Sequence, residues 1–305
     1  MSTRKIYFIT LFSFFLNFFS YASFAALNPI DDWQFYFKRG VIQFNNNMTH
    51  ESIDSFELSL SMNRKNFRTL NYLGKLYLKK NDRDRALEYF LESIKLKKNQ
   101  PDIHHEAARI YRYFTDYKRA LHHYEASIIK EKNTPQREAE YSILLRISGN
   151  TKKSVELLKK IRTTNIEKSR RLLNESREKK YITSPERISI LKKAIETNPA
   201  HMELYTELSG VYRARRDYNA AVKILEIGKS IDPAYRLFYI HLGNLYFNRK
   251  ISGNTRAWFL KLSEKNLRKA VELDRSDTET LIQLTRLLRF QGRIAEAEEI
   301  EKKIQ

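Results

Sequence analysis

The sequence predicts an all-α fold, a superhelical α-solenoid of about eight helix pairs, from three observations. Only 8 Gly and 6 Pro punctuate 305 residues, too few turn formers for a chain of many short strands. Small and aromatic residues recur at helical spacing, as in LNYLGKLYL (70–78) and DYKRALHHYEASIIKEK (116–132). Stretches of both kinds return at a stride of about 34 residues, as helix pairs that stack on one another do.

The N-terminus stands apart from this pattern. Arg4 and Lys5 precede the apolar run IYFITLFSFFLNFF (6–19), which leads into SYASFAA with small residues at Ser23 and Ala25. This three-part layout predicts a secretory signal peptide over residues 1–25, a short linker over 26–32 and the solenoid over 33–305. The alternative is an uncleaved signal anchor, because the apolar stretch reaches about 20 residues if its serines and Asn17 are tolerated. The first case makes the protein exported, periplasmic or secreted; the second tethers it to a membrane. With no cysteine, disulfides, thiolate metal sites, a lipoprotein anchor and a Cys nucleophile are excluded.

Repeat starts fall at Trp33, Phe67, Pro101, Pro135, Lys168, Met202, Arg236 and Thr278. Among second helices, DRDRALEYFLESIKLKK (82–98) superposes on 116–132, with Ala86 on Ala120, Phe90 on Tyr124 and Ser93 on Ser127. Ser154 and Leu158, then Ala221, Leu225 and Gly228, continue the series, and Pro199 and Pro233 recur at the same interval. Among first helices, Leu73-Gly74 with Tyr77 matches Leu242-Gly243 with Tyr246, and Leu208-Ser209 with Tyr212. The small residues Gly74, Ala108, Ser209 and Gly243 let paired helices approach, and Tyr77, Tyr111, Tyr212 and Tyr246 fill the space beside them. Asp82, Asp116, Asn150 and Asp217 are residue types that cap the second helix, as Ser184 does ahead of Pro185. The first and fourth repeats are degenerate, and SRRLLNESREKK (169–180) lacks the small residue and the aromatic, so eight is an estimate with six as a minimum.

These residues resemble the tetratricopeptide repeat, over about residues 33–304. The resemblance implies a right-handed superhelix, a non-catalytic scaffold or adaptor role, and protein or peptide binding in a concave groove lined by one arc of each first helix. Here that arc carries Arg68, Asn71, Lys75 and Lys79 in the second repeat and His105, Arg109, Arg112 and Tyr113 in the third. The equivalents of Arg112 are Arg146, Arg213 and Arg289, and Arg286 lies one turn from Arg289. Glu203 and Glu279 are the main acidic residues of the arc.

An arginine fork suits carboxylate or phosphate, so the expected partner is an acidic peptide or protein, with an anionic glycan or lipid surface as the alternative. The balance of 56 Lys+Arg against 36 Asp+Glu, net +20, agrees with acidic partners. Nucleic acid is not expected of an exported chain. No chaperone-tail site is expected, because Asn71 and Lys75 hold the paired positions in the opposite order.

No cofactor, metal or catalytic residue is expected, and the chain is not expected to be an enzyme. HHEAAR (104–109) comes nearest to a zinc-binding helix but places Arg109 where the second His ligand belongs. His122 and His123 read as ordinary positions of a second helix. There is no phosphate loop, dinucleotide fingerprint or nucleophile elbow. The seventh repeat carries an insertion at about 248–258, in which Gly253-Asn254 reads as a turn and TRAWFLKL as an extension of the second helix. Trp258 and Phe259 are therefore candidates for an exposed partner anchor, unless they cover the edge of the adjacent repeat.

Overall fold

The computed structural model describes residues 32–128, 134–179, 181–249 and 253–302. The predicted signal peptide and nearly all of the linker lie outside them. Among the described residues there are sixteen helices and no strand. In chain order they form eight helix-turn-helix repeats, and the chain divides into two compact units, Met1–Phe114 and Thr115–Gln305.

The first unit contains α1 (Trp33–Asn45), α2 (Thr49–Met62), α3 (Phe67–Lys79), α4 (Arg83–Leu96) and α5 (Pro101–Tyr113). The pairs α1/α2 and α3/α4 run antiparallel, since Ser59 reaches back to the Trp33 carbonyl and Ser93 to that of Phe67. Close approach depends on the small residue of each first helix. A Cβ on Gly74 would sit 2.4 Å from the Phe90 ring, and one on Gly40 would sit 2.9 Å from that of Phe56. Phe56, Leu73, Phe90, Ile103 and Ile110 form the core.

The second unit contains α6 (Tyr117–Ser127), α7 (Pro135–Ile147), α8 (Thr151–Thr163), α9 (Ile166–Arg177), α10 (Pro185–Thr197), α11 (Glu203–Ala214), α12 (Tyr218–Ile231), α13 (Arg236–Phe247), α14 (Asn254–Leu273), α15 (Thr278–Phe290) and α16 (Ile294–Glu301). The fifth repeat therefore begins two residues before the predicted Lys168. Here the stack is not a simple succession, because α7 packs on α10 and also on α12. One core joins Ala139, Leu158 and Ile161 to Tyr205, Leu225, Phe238 and Leu242. A second joins Leu173 and Leu191 to Leu204, Leu208 and Val211, so α11 is covered on two sides.

Two backbone devices repeat through both units. The turn inside a repeat passes through a left-handed residue at Asn47, Asn81, Gly149, Arg216 and Gly292. In each case the next N–H bonds back to the last turn of the first helix, for example Asp82 to Tyr77 O at 2.9 Å and Asn150 to Leu145 O at 2.8 Å, which is the Schellman closure. Asp82, Asp116, Ser184 and Asp217 cap the following helix through their side chains. Asn150 occupies the cap position without a side-chain bond.

The other device is a serine of the second helix bonding the carbonyl of the small residue it faces. Ser52 donates to Gly40 O at 2.9 Å, Ser154 to Ser142 O at 2.7 Å and Ser263 to Gly243 O at 2.8 Å. The sequence separations are 12, 12 and 20, so the seventh-repeat insertion lengthens the loop and helix start without shifting this rung.

Candidate functional site

In the first unit α3 presents Arg68, Lys75 and Lys79 as one exposed stripe. Lys75 lies 5.8 Å above the Tyr72 ring and Lys79 donates to Asn47 Oδ1 at 3.0 Å, contacts that hold the stems while leaving the charges at the surface. Asn71, expected beside them, has another role. Its Nδ2 donates to Gln100 Oε1 at 2.8 Å and its Oδ1 accepts from Ser93 at 2.6 Å, tying α3 to α4 and to the cap of α5. That network uses both ends of the amide, which removes Asn71 from the ligand-facing set.

On α5, His105 and Arg112 are half-buried, while Arg109 and Tyr113 are exposed. Arg109 lies 3.3 Å from Glu106. A cleft of about 510 Å³ is lined by Arg83, Glu106, Arg109, Arg112, Tyr113 and the aliphatic floor of Leu78 and Ile110. The Arg83 guanidinium lies 4.0 Å from the centre of the Tyr113 ring. Arg83 went unnoticed in the sequence because it opens the second helix of the preceding repeat, outside the arc that first helices supply. Among the described residues, three guanidinium groups and one carboxylate line this cleft.

The predicted arginines of the second unit divide by role. Arg146 is half-buried at the C-terminus of α12, where it donates to Ile231 O at 3.0 Å and to Ser230 O. Burial lowers its pKa, partly offset by Asp232. A cation on two terminal carbonyls is a helix C-cap, which corrects the expectation that Arg146 faces a ligand. Arg289 makes a two-pronged pair with Glu301 at 3.1 and 2.8 Å. Arg213 and Arg286 are exposed.

Trp258 is 54% exposed, whereas Phe259 is 5% exposed and stacks on Tyr246 at 5.8 Å. Only the tryptophan remains available as an anchor, because Phe259 fills the joint between α13 and α14.

A larger cleft of about 780 Å³ in the second unit is lined by Arg162, Arg170, His201, Glu203, Asp232 and Tyr235, among others. Its charges are matched internally: Arg162 lies 2.7 Å from Asp232, Arg170 2.9 Å from Glu167, and Ser169 Oγ bonds His201 Nδ1 at 2.9 Å. It therefore offers less to a charged ligand than the smaller cleft. His104 is buried with Nε2 3.0 Å from Lys98 O, His123 is buried and His122 exposed. Among the described residues no group of three or more His, Cys, Asp or Glu side chains could hold a metal ion.

The tetratricopeptide repeat family matches residues 67–100, which are α3, α4 and the turn leading to α5. The helix pairs are tetratricopeptide-like repeats. A search of curated proteins found no match. Among solved structures, the repeats are similar to the APC/C hetero-tetramer Cut9-Hcn1, at 12% identity over 86% of this chain with TM-score 0.41. The chain spans 44% of the length of that protein. They are also similar to human IFIT1, solved as a dimer with m7Gppp-AAAA, at 16% identity over 87% of this chain and 66% of that one, TM-score 0.37. YrrB, described as a TPR protein with an unusual peptide-binding site, matches at 14% identity over 74% of this chain and 95% of its own, TM-score 0.34.

Proposed function

We propose that this tetratricopeptide-like protein is a non-catalytic scaffold whose first unit binds an acidic segment of a protein partner. The observation that carries the reading is the cleft that places Arg83, Arg109 and Arg112 beside the exposed Tyr113 ring. Guanidinium forks take carboxylates in two-pronged pairs, and the Tyr113 face offers apolar contact at little entropic cost. Arg68, Lys75 and Lys79 on α3 extend the cationic surface. Because these groups stand on packed helices, little ordering is needed on binding.

Titrating a labelled Asp/Glu-rich peptide against the full chain and an Arg83→Glu/Arg112→Glu variant tests this. At least about a ten-fold loss of affinity is expected, given roughly 1.5–3 kcal/mol for a charged hydrogen bond. Equal affinity in the two proteins defeats the proposal. Binding that vanishes with salt and ignores peptide sequence favours the charge-only alternative, an anionic glycan or lipid surface.

The layout of residues 1–25 supports export, to the periplasm or beyond the cell. Recovery of the protein in the cytoplasm with residues 1–25 intact counts against that placement.

A further inference from the structure

The first turns of α14 are the part of the described chain that the repeat does not require. At about 1.5 Å per residue, its 20 residues span about 30 Å against about 18 Å for the 12 of α13, so one end overhangs its partner helix. That end is held firmly. Arg256 Nη1 donates to Phe247 O at 2.6 Å and Arg249 O at 2.8 Å, and its guanidinium lies 5.2 Å from the Phe290 ring. Arg249 lies 4.7 Å from the buried Phe259 ring. Trp258 meets Phe259 edge-on at 4.8 Å and turns its indole to the surface, 54% exposed.

Lys261 and Lys265 follow Trp258 along the same face at helical spacing, and both are exposed. Neither makes an ion pair among the described residues. Further along, Arg268 is paired with Glu264 and Glu296, and Lys269 with Glu272. The unmatched positive charge of this face is therefore concentrated beside the indole.

We propose that this face of α14 rests on an anionic lipid surface, with Trp258 at the level of the headgroups and Lys261 and Lys265 against their charges. An indole is apolar at one edge and a hydrogen-bond donor at the other, which suits the interfacial layer. Lysine stems lie along apolar surface while their ammonium groups reach anionic headgroups. A tryptophan and two lysines in line on the exposed side of one helix match a plane, whereas a peptide needs a groove to lie in. This surface shares no residue with the arginine cleft of the first unit.

The chain has two tryptophans, so Trp33→Phe leaves Trp258 as the sole indole emitter. The full-length variant is titrated with vesicles of phosphatidylcholine, with or without phosphatidylserine, whose acyl chains carry bromine. Trp258 emission should shift to the blue and be quenched on the anionic vesicles only. Lys261→Glu/Lys265→Glu should weaken that partition at least about thirty-fold, at roughly 1 kcal/mol per lysine. If Trp33→Phe disturbs folding, the difference between the wild-type protein and Trp258→Phe supplies the same signal.

Sedimentation is not the readout, because it would also count protein carried to vesicles by the apolar run 6–19. Vesicle-bound protein with Trp258 unshifted and unquenched overturns the proposal, as does equal quenching on neutral vesicles. A Trp258 shift produced by an acidic polypeptide and not by anionic vesicles assigns the face to a protein and overturns it too.

Discussion

The two units use the same helix pair and assemble it differently. In the first, α1, α3 and α5 begin at Trp33, Phe67 and Pro101, and consecutive helices pack on one another from α1 to α5. In the second, α7 also reaches α12, and Arg146 bonds carbonyls 84 and 85 residues away. The short link through Thr164 and Asn165, the latter left-handed at φ 59° with no side-chain cap bond, starts α9 early and lets α11 and α12 meet α7 and α8 directly. Repeat chemistry thus specifies the pair, while the links between pairs decide which pair stacks on which. A simple nearest-neighbour energy sum describes the first unit better than the second.

The largest test of this contrast is Phe238→Ala. That ring is fully buried, meets Tyr205 at 6.2 Å and Tyr235 at 4.9 Å, and lies in the core that joins α7 and α8 to α11–α13. A loss of about 3–5 kcal/mol is expected in urea unfolding. A loss of no more than about 0.5 kcal/mol, the usual range of a surface change, would mean that the second unit stacks as loosely coupled pairs.

Arg146→Ala comes next, at about 2 kcal/mol for two charged hydrogen bonds less what water restores. Arg146→Lys should recover only part of this, because one ammonium cannot reproduce the planar fork. If stability is unchanged but acidic-peptide binding falls, Arg146 faces a ligand after all.

Gly74→Ala should cost about 1–3 kcal/mol, since the new Cβ meets the buried Phe90 ring. Gly210→Ala, in α11 with nothing within 4 Å of the added Cβ, should instead gain about 0.5–1 kcal/mol from helix propensity. Equal effects at the two sites would show that the first unit yields where the packing says it cannot.

The smallest effect is in pH. Burial lowers the pKa of His201, partly offset by Glu203 and reinforced by Arg170 and Arg177, and burial lowers that of His241, reinforced by Arg213. Both are therefore neutral in the fold, and the unfolded chain takes up protons first as pH falls through about 6.5. The stability they contribute is present above that pH and declines below it, towards their lowered folded values. A His201→Gln/His241→Gln variant should show a flatter decline in unfolding midpoint between about pH 7 and 5. An unchanged slope would place the pH sensitivity elsewhere.

The fold was largely legible because close helix approach leaves a residue-by-residue trace. Gly74 facing Phe90 and Gly243 facing Leu267 are visible as small residues at a fixed stride. The helix starts at Trp33, Phe67, Pro101, Pro135, Arg236 and Thr278 coincide with those read from the sequence. The site was less legible, because facing an arc does not say what else a side chain reaches. Asn71 lies on the expected arc yet bonds Gln100, 29 residues on, and Arg146 bonds a turn two repeats away. Phe259 and Trp258 are adjacent and chemically alike, and only the position of Tyr246 decides which is buried. Arg83 was missed for the converse reason, a second-helix residue leaning over a first-helix tyrosine.

The serine-to-carbonyl rung has a consequence for how such a chain can lengthen. Since Ser263 finds Gly243 across 20 residues as Ser52 finds Gly40 across 12, everything C-terminal to the bond keeps its phase whatever is added ahead of it. The entry to a second helix is then the place where new surface can be grafted without retuning the neighbouring layers. Extra turns introduced there in another repeat should be tolerated, whereas the same number placed after the rung would throw every later layer out of step.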